Sequence, residues 1–225
     1  MPRVMQPQSK PPKMSAEDVP KWPPKDKSKI ISKEEYGELR SLAEINGIAL
    51  SGVKKFDGSA TVMREAIATL VALQEKFPAV QDERYKLTLK IDETMNAKDF
   101  AITRGKIISL NANAYRDVNL LAREYRRAME TGWFVKDTTW RAIIHHEFGH
   151  VVAEVYKLDC LKIACEITGL KPKELFPWLK KNLSEYAGSY LDGGEIVSEV
   201  FADMSTDKPS DFSRKFYDKV LALTR

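Results

Sequence analysis

The sequence predicts an α+β domain, and three observations carry that prediction. Apolar residues recur at helical spacing toward both ends of the chain. Between Tyr85 and Asn111 the period shortens to the alternation of half-buried strands. After residue 140 a helix with apolar flanks, Ile143–Ile144–His145–His146–Glu147–Phe148–Gly149–His150–Val151–Val152, is followed only by further helical patterns.

Each element has its own justification. Residues 1–28 hold seven of the eleven prolines and few large apolar residues, which predicts a disordered or extended tail or linker. Within it, Trp22 is either a docking anchor or incidental. The folded domain is expected over residues 29–225. Ser32-Lys-Glu-Glu35 is a capping box and opens a helix that carries Leu39, Leu42 and Ile45 and ends at Gly47. A second helix runs from about Ser59 to Lys76 with Val62, Ala66, Leu70 and Leu73 on one face, and Phe77-Pro78 stops it.

Tyr85, Leu87, Leu89 and Ile91 alternate with polar residues along a strand. Phe100–Thr103, a turn at Arg104-Gly105, and Lys106–Asn111 read as a β-hairpin or two adjacent short strands. A helix from about Asp117 to Glu130 follows, then the apolar patch Trp133-Phe134-Val135. Asp137 or Thr138 is expected to cap the central helix. Beyond it come a short helix over Cys160–Ile167 stopped at Gly169, and another opened by Pro172 with Leu175, Phe176, Trp178 and Leu179. Residues 182–190 are helical or irregular, 191–194 form a turn, and Glu195–Ser205 is a helix. Ser210 or Asp211 caps a last amphipathic helix with Phe212, Phe216, Val220 and Leu223.

Composition narrows the function classes. With 43% hydrophobic and 30% charged residues, the chain has the make-up of a soluble globular protein. No apolar run approaches the roughly 20 residues of a membrane span, and no apolar leader stands at the start. The expected setting is therefore cytoplasmic, or virion-associated if the chain is phage-derived. Cys160 and Cys165 fit no zinc-knuckle or redox spacing and read as buried reduced thiols. The formal net charge is +4, yet residues 1–33 alone carry eight Lys/Arg against Glu17, Asp18 and Asp26, or +5. The remainder is therefore near −1, and nucleic-acid binding is expected of nothing but the tail.

The chemistry lies in His-Glu-x-x-His. On a helix His146 and His150 stand one turn apart on one face, so both imidazoles can reach one ion. Glu147 is placed to activate a metal-bound water and to pass its proton to a leaving amine. A stray match on a polar helix would leave the histidines solvated. Here the flanks are apolar, and all three histidines of the chain fall within positions 145–150. His145 is rotated about 100° from His146 and should face away.

A tetrahedral catalytic site needs a third protein ligand. No later histidine exists, so the metzincin pattern is excluded and a carboxylate is required. Glu195 is the first candidate, with Glu199 its rival and an ordinary first-turn acid the plain alternative for Glu195. Glu154, on the same face as His150, reads as a supporting or surface acid.

The segment Gly194-Glu195-Ile-Val-Ser198-Glu199-Val-Phe201-Ala202-Asp203 resembles the zincin-like metallopeptidases of the gluzincin branch. Glu195-x-x-Ser198-Glu199 is similar to the thermolysin-like Glu-x-x-Ser-Asp arrangement. Together with Gly-Trp133-Phe134-Val135, the pattern looks most like the zincin-like domain of some phage minor head proteins. The match covers about Lys106 to Asp203. It implies a small mixed sheet whose edge strand packs on the HExxH helix, and a helical C-terminal half. It further implies Zn2+ held by His146, His150 and Glu195, with Glu199 supporting a zinc histidine. Lys106–Asn111 looks like the zincin edge strand, which would put Ile108 and Leu110 against an extended peptide substrate. The later histidine that such enzymes aim at the oxyanion is missing, so Tyr190 or Tyr186 is the candidate donor, unless both are core tyrosines.

The expectation is zinc-dependent hydrolysis of a peptide bond in a protein substrate or in a larger parent polypeptide. The alternative is a non-catalytic zincin-like assembly module, against which an intact Glu147 argues.

Overall fold

Alternation along Leu87–Asp92 places Leu87, Leu89 and Ile91 on one face, and in the computed structural model these three are buried while their neighbours are half-buried. The structure describes residues 20–81, 86–191 and 193–225. Among them a four-stranded sheet has the order β1-β2-β4-β3: β1 (Ile48–Ser51), β2 (Leu87–Asp92), β3 (Ala101–Arg104) and β4 (Ile107–Asn111). β1, β2 and β4 run parallel, and β3 returns antiparallel to β4. The turn between β3 and β4 falls on Gly105, whose φ of 61° a side chain would resist. The expected start of β2 at Tyr85 lies outside the described residues.

The sheet corrects two expectations. Lys106–Asn111 is not the edge, because β4 is bonded on both sides, and the edge next to the central helix is β3. Ile108 and Leu110 are wholly buried in the core, so they do not face a substrate. β1 is an addition: Ile48-Ala-Leu50-Ser51 alternates over only four residues.

The helices follow their caps. The capping box holds α1 (Lys33–Ile45) with both reciprocal bonds. α2 (Ala60–Lys76) buries Val62, Ala66, Leu70 and Leu73. A single turn, α3 (Ala112–Tyr115), precedes α4 (Val118–Glu130), which Asp117 caps. The central helix α5 (Ala142–Val155) is capped by neither Asp137 nor Thr138. The Thr138 hydroxyl is spent on the Val135 carbonyl and on Tyr125 Oη, and Asp137 sits at a φ of 61°. Beyond α5 come α6 (Cys160–Thr168), α7 (Pro172–Asn182), α8 (Glu185–Ser189), α9 (Gly194–Asp203) and α10 (Asp211–Thr224, capped by Ser210). On α10, Phe212, Phe216 and Val220 are buried, whereas Leu223 is exposed because the last turn runs past the core. No helix among the described residues is long and apolar enough to cross a membrane. Both cysteines are free, Cys160 buried and Cys165 half-buried.

Two packing features fix the centre. Phe77, at the end of α2, touches the rings of Phe148 on α5, Phe201 on α9 and Tyr217 on α10. The second is the crossing of α5 and α9 at Gly149. A Cβ there would stand 2.8 Å from Ser198 Cα and 3.1 Å from the Val197 carbonyl, so only glycine allows this approach.

The N-terminal segment is placed further back than expected. Residues 1–19 lie outside the described residues, but from Pro20 onward the chain lies on the domain. Trp22 donates from its indole to the Ala97 carbonyl at 2.8 Å and meets Phe100 edge-on. The Asp26 N–H donates to the buried Asp57, which pairs with Arg116 at 2.6 Å. Trp22 is thus an anchor to its own domain.

Candidate metal centre

The close crossing at Gly149 brings the first turns of α9 against the front face of α5. His146 and His150 are one turn apart, with ring centroids 5.1 Å from each other. Their Nε2 atoms lie 3.3 and 3.4 Å from a single atom, Glu195 Oε2. One ligand atom from each of the three residues falls within 4.8 Å of the others. The three side chains form a cluster that could hold a metal ion.

The donor chemistry fits a cation between them. Glu195 Oε2 is buried and has no hydrogen-bond partner, the two imidazole nitrogens being its near neighbours. His146 Nδ1 is 2.8 Å from Glu199 Oε1, and Glu199 Oε2 accepts from the Val135 N–H at 3.2 Å. A carboxylate at Nδ1 draws the ring proton there and leaves the Nε2 lone pair facing Glu195. Lone pairs and a carboxylate then face one another in a dry site, an arrangement that a cation relieves. The smallest cation that can do so is a proton on Nε2. Burial opposes a charge on His146, yet Glu195 and Glu199 outweigh it and hold its pKa well above the ordinary value. Burial likewise opposes charge on Glu195, but the two imidazoles pull its pKa down to about 2. Two nitrogens and one carboxylate oxygen are a donor set suited to a divalent transition-metal ion.

The sequence expectations for His146, His150, Glu195 and Glu199 therefore meet in one place. His145 points elsewhere: burial, with Lys76 nearby, lowers its pKa to about 4. Glu154 is an exposed surface acid. Of the two tyrosines, Tyr186 lies against His146 with ring centroids 5.7 Å apart, and Tyr190 packs on Tyr186 at 5.0 Å. Burial, then the charges of Glu195, Glu147 and Glu199, push the Tyr186 hydroxyl far above its usual pKa, so it stays a proton-bearing donor.

Glu147 is buried, and its Oε2 accepts from the Thr103 hydroxyl of β3 at 2.7 Å. Sequence reasoning missed Thr103 and Gly149. No pattern marks a threonine in a hairpin strand, whereas the glycine inside His-Glu-x-x-His is a readable sign of close helix packing. Neither the family models, nor the curated proteins, nor the solved structures contain a match to this chain.

Proposed function

We propose that the chain is a zinc-dependent peptidase built on a zincin-like arrangement of edge strand, HExxH helix and glutamate-bearing helix. The observation that carries the reading is the convergence of His146 and His150 on the buried, unpartnered Glu195 Oε2, with Glu147 beside them. His146, His150 and Glu195 would hold the ion, which when bound supplies a Lewis acid for a peptide carbonyl and makes water more acidic. Glu199 fixes the His146 ring by accepting at Nδ1. Glu147 takes a proton from the attacking water and delivers it to the leaving amine. Tyr186 is the better placed of the two tyrosines to donate to the oxyanion. An extended peptide would pair with the outer edge of β3, in place of the expected Lys106–Asn111. A module that used an ion only to join α5 to α9 would gain nothing from a carboxylate held next to the ligands.

The test is Glu147→Gln in zinc-loaded protein assayed on fluorescein-labelled casein. The expected result is a loss of about 100- to 10,000-fold in kcat with zinc retained. Equal cleavage by the variant and the wild type would overturn the peptidase reading.

A further inference from the structure

We infer that Thr103 is a positioning residue for Glu147, so that the strand bordering the cleft also aims the base. The inference rests on the peptidase reading above and adds a residue and a role to it. Thr103 lies on β3 opposite Ile108 of β4, and its side chain reaches across to α5. Its hydroxyl is 2.7 Å from Glu147 Oε2 and 3.1 Å from the Glu147 backbone carbonyl. A hydroxyl has one proton, and the shorter contact, to a charged acceptor, is the stronger. Glu147 Oε1 is bonded by no described residue.

The arrangement divides the labour between the two carboxylate oxygens. Oε2 is tied to the sheet, and Oε1 is left to exchange a proton with water. A glutamate has three side-chain torsions to fix, and its own helix restrains only the first of them firmly. Threonine suits the task, because its β-branched side chain is stiff and its strand is bonded to β4. Removing the hydroxyl leaves Glu147 present but free to leave the reactive geometry. Misplacement of a reacting group lowers turnover more than it weakens ground-state binding.

The experiment uses the full zinc-loaded chain as wild type, Thr103→Val, Thr103→Ser and Glu147→Gln. Three readouts are taken: zinc per chain, kcat and KM on fluorescein-labelled casein, and calorimetric affinity for N-acetylleucine hydroxamate. A hydroxamic acid chelates zinc as its anion, so tight binding needs an acceptor for its proton, and this readout requires no turnover. Thr103→Val, which keeps the shape, is expected to lower kcat and hydroxamate affinity by about 10-fold each, with KM and zinc content unchanged. Thr103→Ser is expected to restore both. Unchanged kcat and affinity in Thr103→Val, alongside a dead Glu147→Gln, would overturn the inference and leave the peptidase reading standing. Equal losses in Thr103→Ser and Thr103→Val, or loss of zinc from either, would also overturn it, since the hydroxyl would not be the cause. A zinc-loaded wild type that neither cleaves casein nor binds the hydroxamate would overturn the peptidase reading and the inference with it.

Discussion

The back and front faces of α5 bury histidines that are adjacent in sequence, and the two residues end in opposite states. On the back, half-buried His145 lies near the Lys76 ammonium, and burial first, then that charge, lowers its pKa to about 4. On the front, His146 is at least as buried, yet two carboxylates of α9 raise its pKa well above the ordinary value. Desolvation acts in the same direction on both. What separates them is the partner element: a helix delivered to within glycine distance, carrying Glu195 and Glu199 on the facing side. Burial alone makes a histidine inert, and burial against opposed charge makes it part of a site.

That comparison can be broken in four places, beginning with the largest effect. Glu195→Ala removes the acceptor on which both front-face histidines converge. Zinc measured by mass spectrometry is expected to fall from one per chain to near zero, while His145→Gln keeps its zinc. Zinc retained in Glu195→Ala would mean that another carboxylate completes the donor set. Glu199→Gln leaves all three donors but loosens the His146 ring, and competition with a chelator should show zinc affinity weaker by about 10- to 100-fold. Gly149→Ala tests the crossing itself. Its methyl group would meet the α9 backbone, and denaturant unfolding is expected to show a loss of about 1–3 kcal/mol together with weaker zinc binding.

The smallest effect belongs to the back face. A histidine whose folded pKa is about 4 takes up its proton more readily unfolded, so the zinc-free protein loses stability as pH falls from 6.5 toward 4. The loss attributable to His145 is about 3 kcal/mol at most by the bottom of that window. His145→Gln should flatten the stability profile there, and an unchanged profile would show that His145 is open to water.

The legible part of the fold is the part governed by local chemistry. Ser32 and Glu35, Asp117, Gly169 and Ser210 mark their helix ends because a cap is a short-range bond. Leu87, Leu89 and Ile91 show their strand because alternation is local too. The site was legible for similar reasons on α5, where helical spacing fixes His146 and His150. What stayed hidden depends on tertiary placement. The rank of β4 inside the sheet cannot be read from its own residues, which alternate as well as those of an edge strand would. Thr138 looks like a cap until Val135 and Tyr125 claim its hydroxyl. Tyr186 and Tyr190 differ only in which one the chain turns toward His146. Thr103 acquires meaning through a residue 44 positions away.

The spacing of the ligands has a topological consequence. His150 and Glu195 are 45 positions apart, and α6, α7 and α8 all lie between them. A cation bound at the crossing therefore acts as a cross-link closing that whole insert into a ring. The unfolded chain does not hold His146, His150 and Glu195 together, so the ion binds the native state alone and stabilises it by its own binding free energy. Withdrawal of the ion removes that closure and leaves the crossing at Gly149 to hold the two roots, and protease nicking under chelation should begin within the insert, ahead of the sheet.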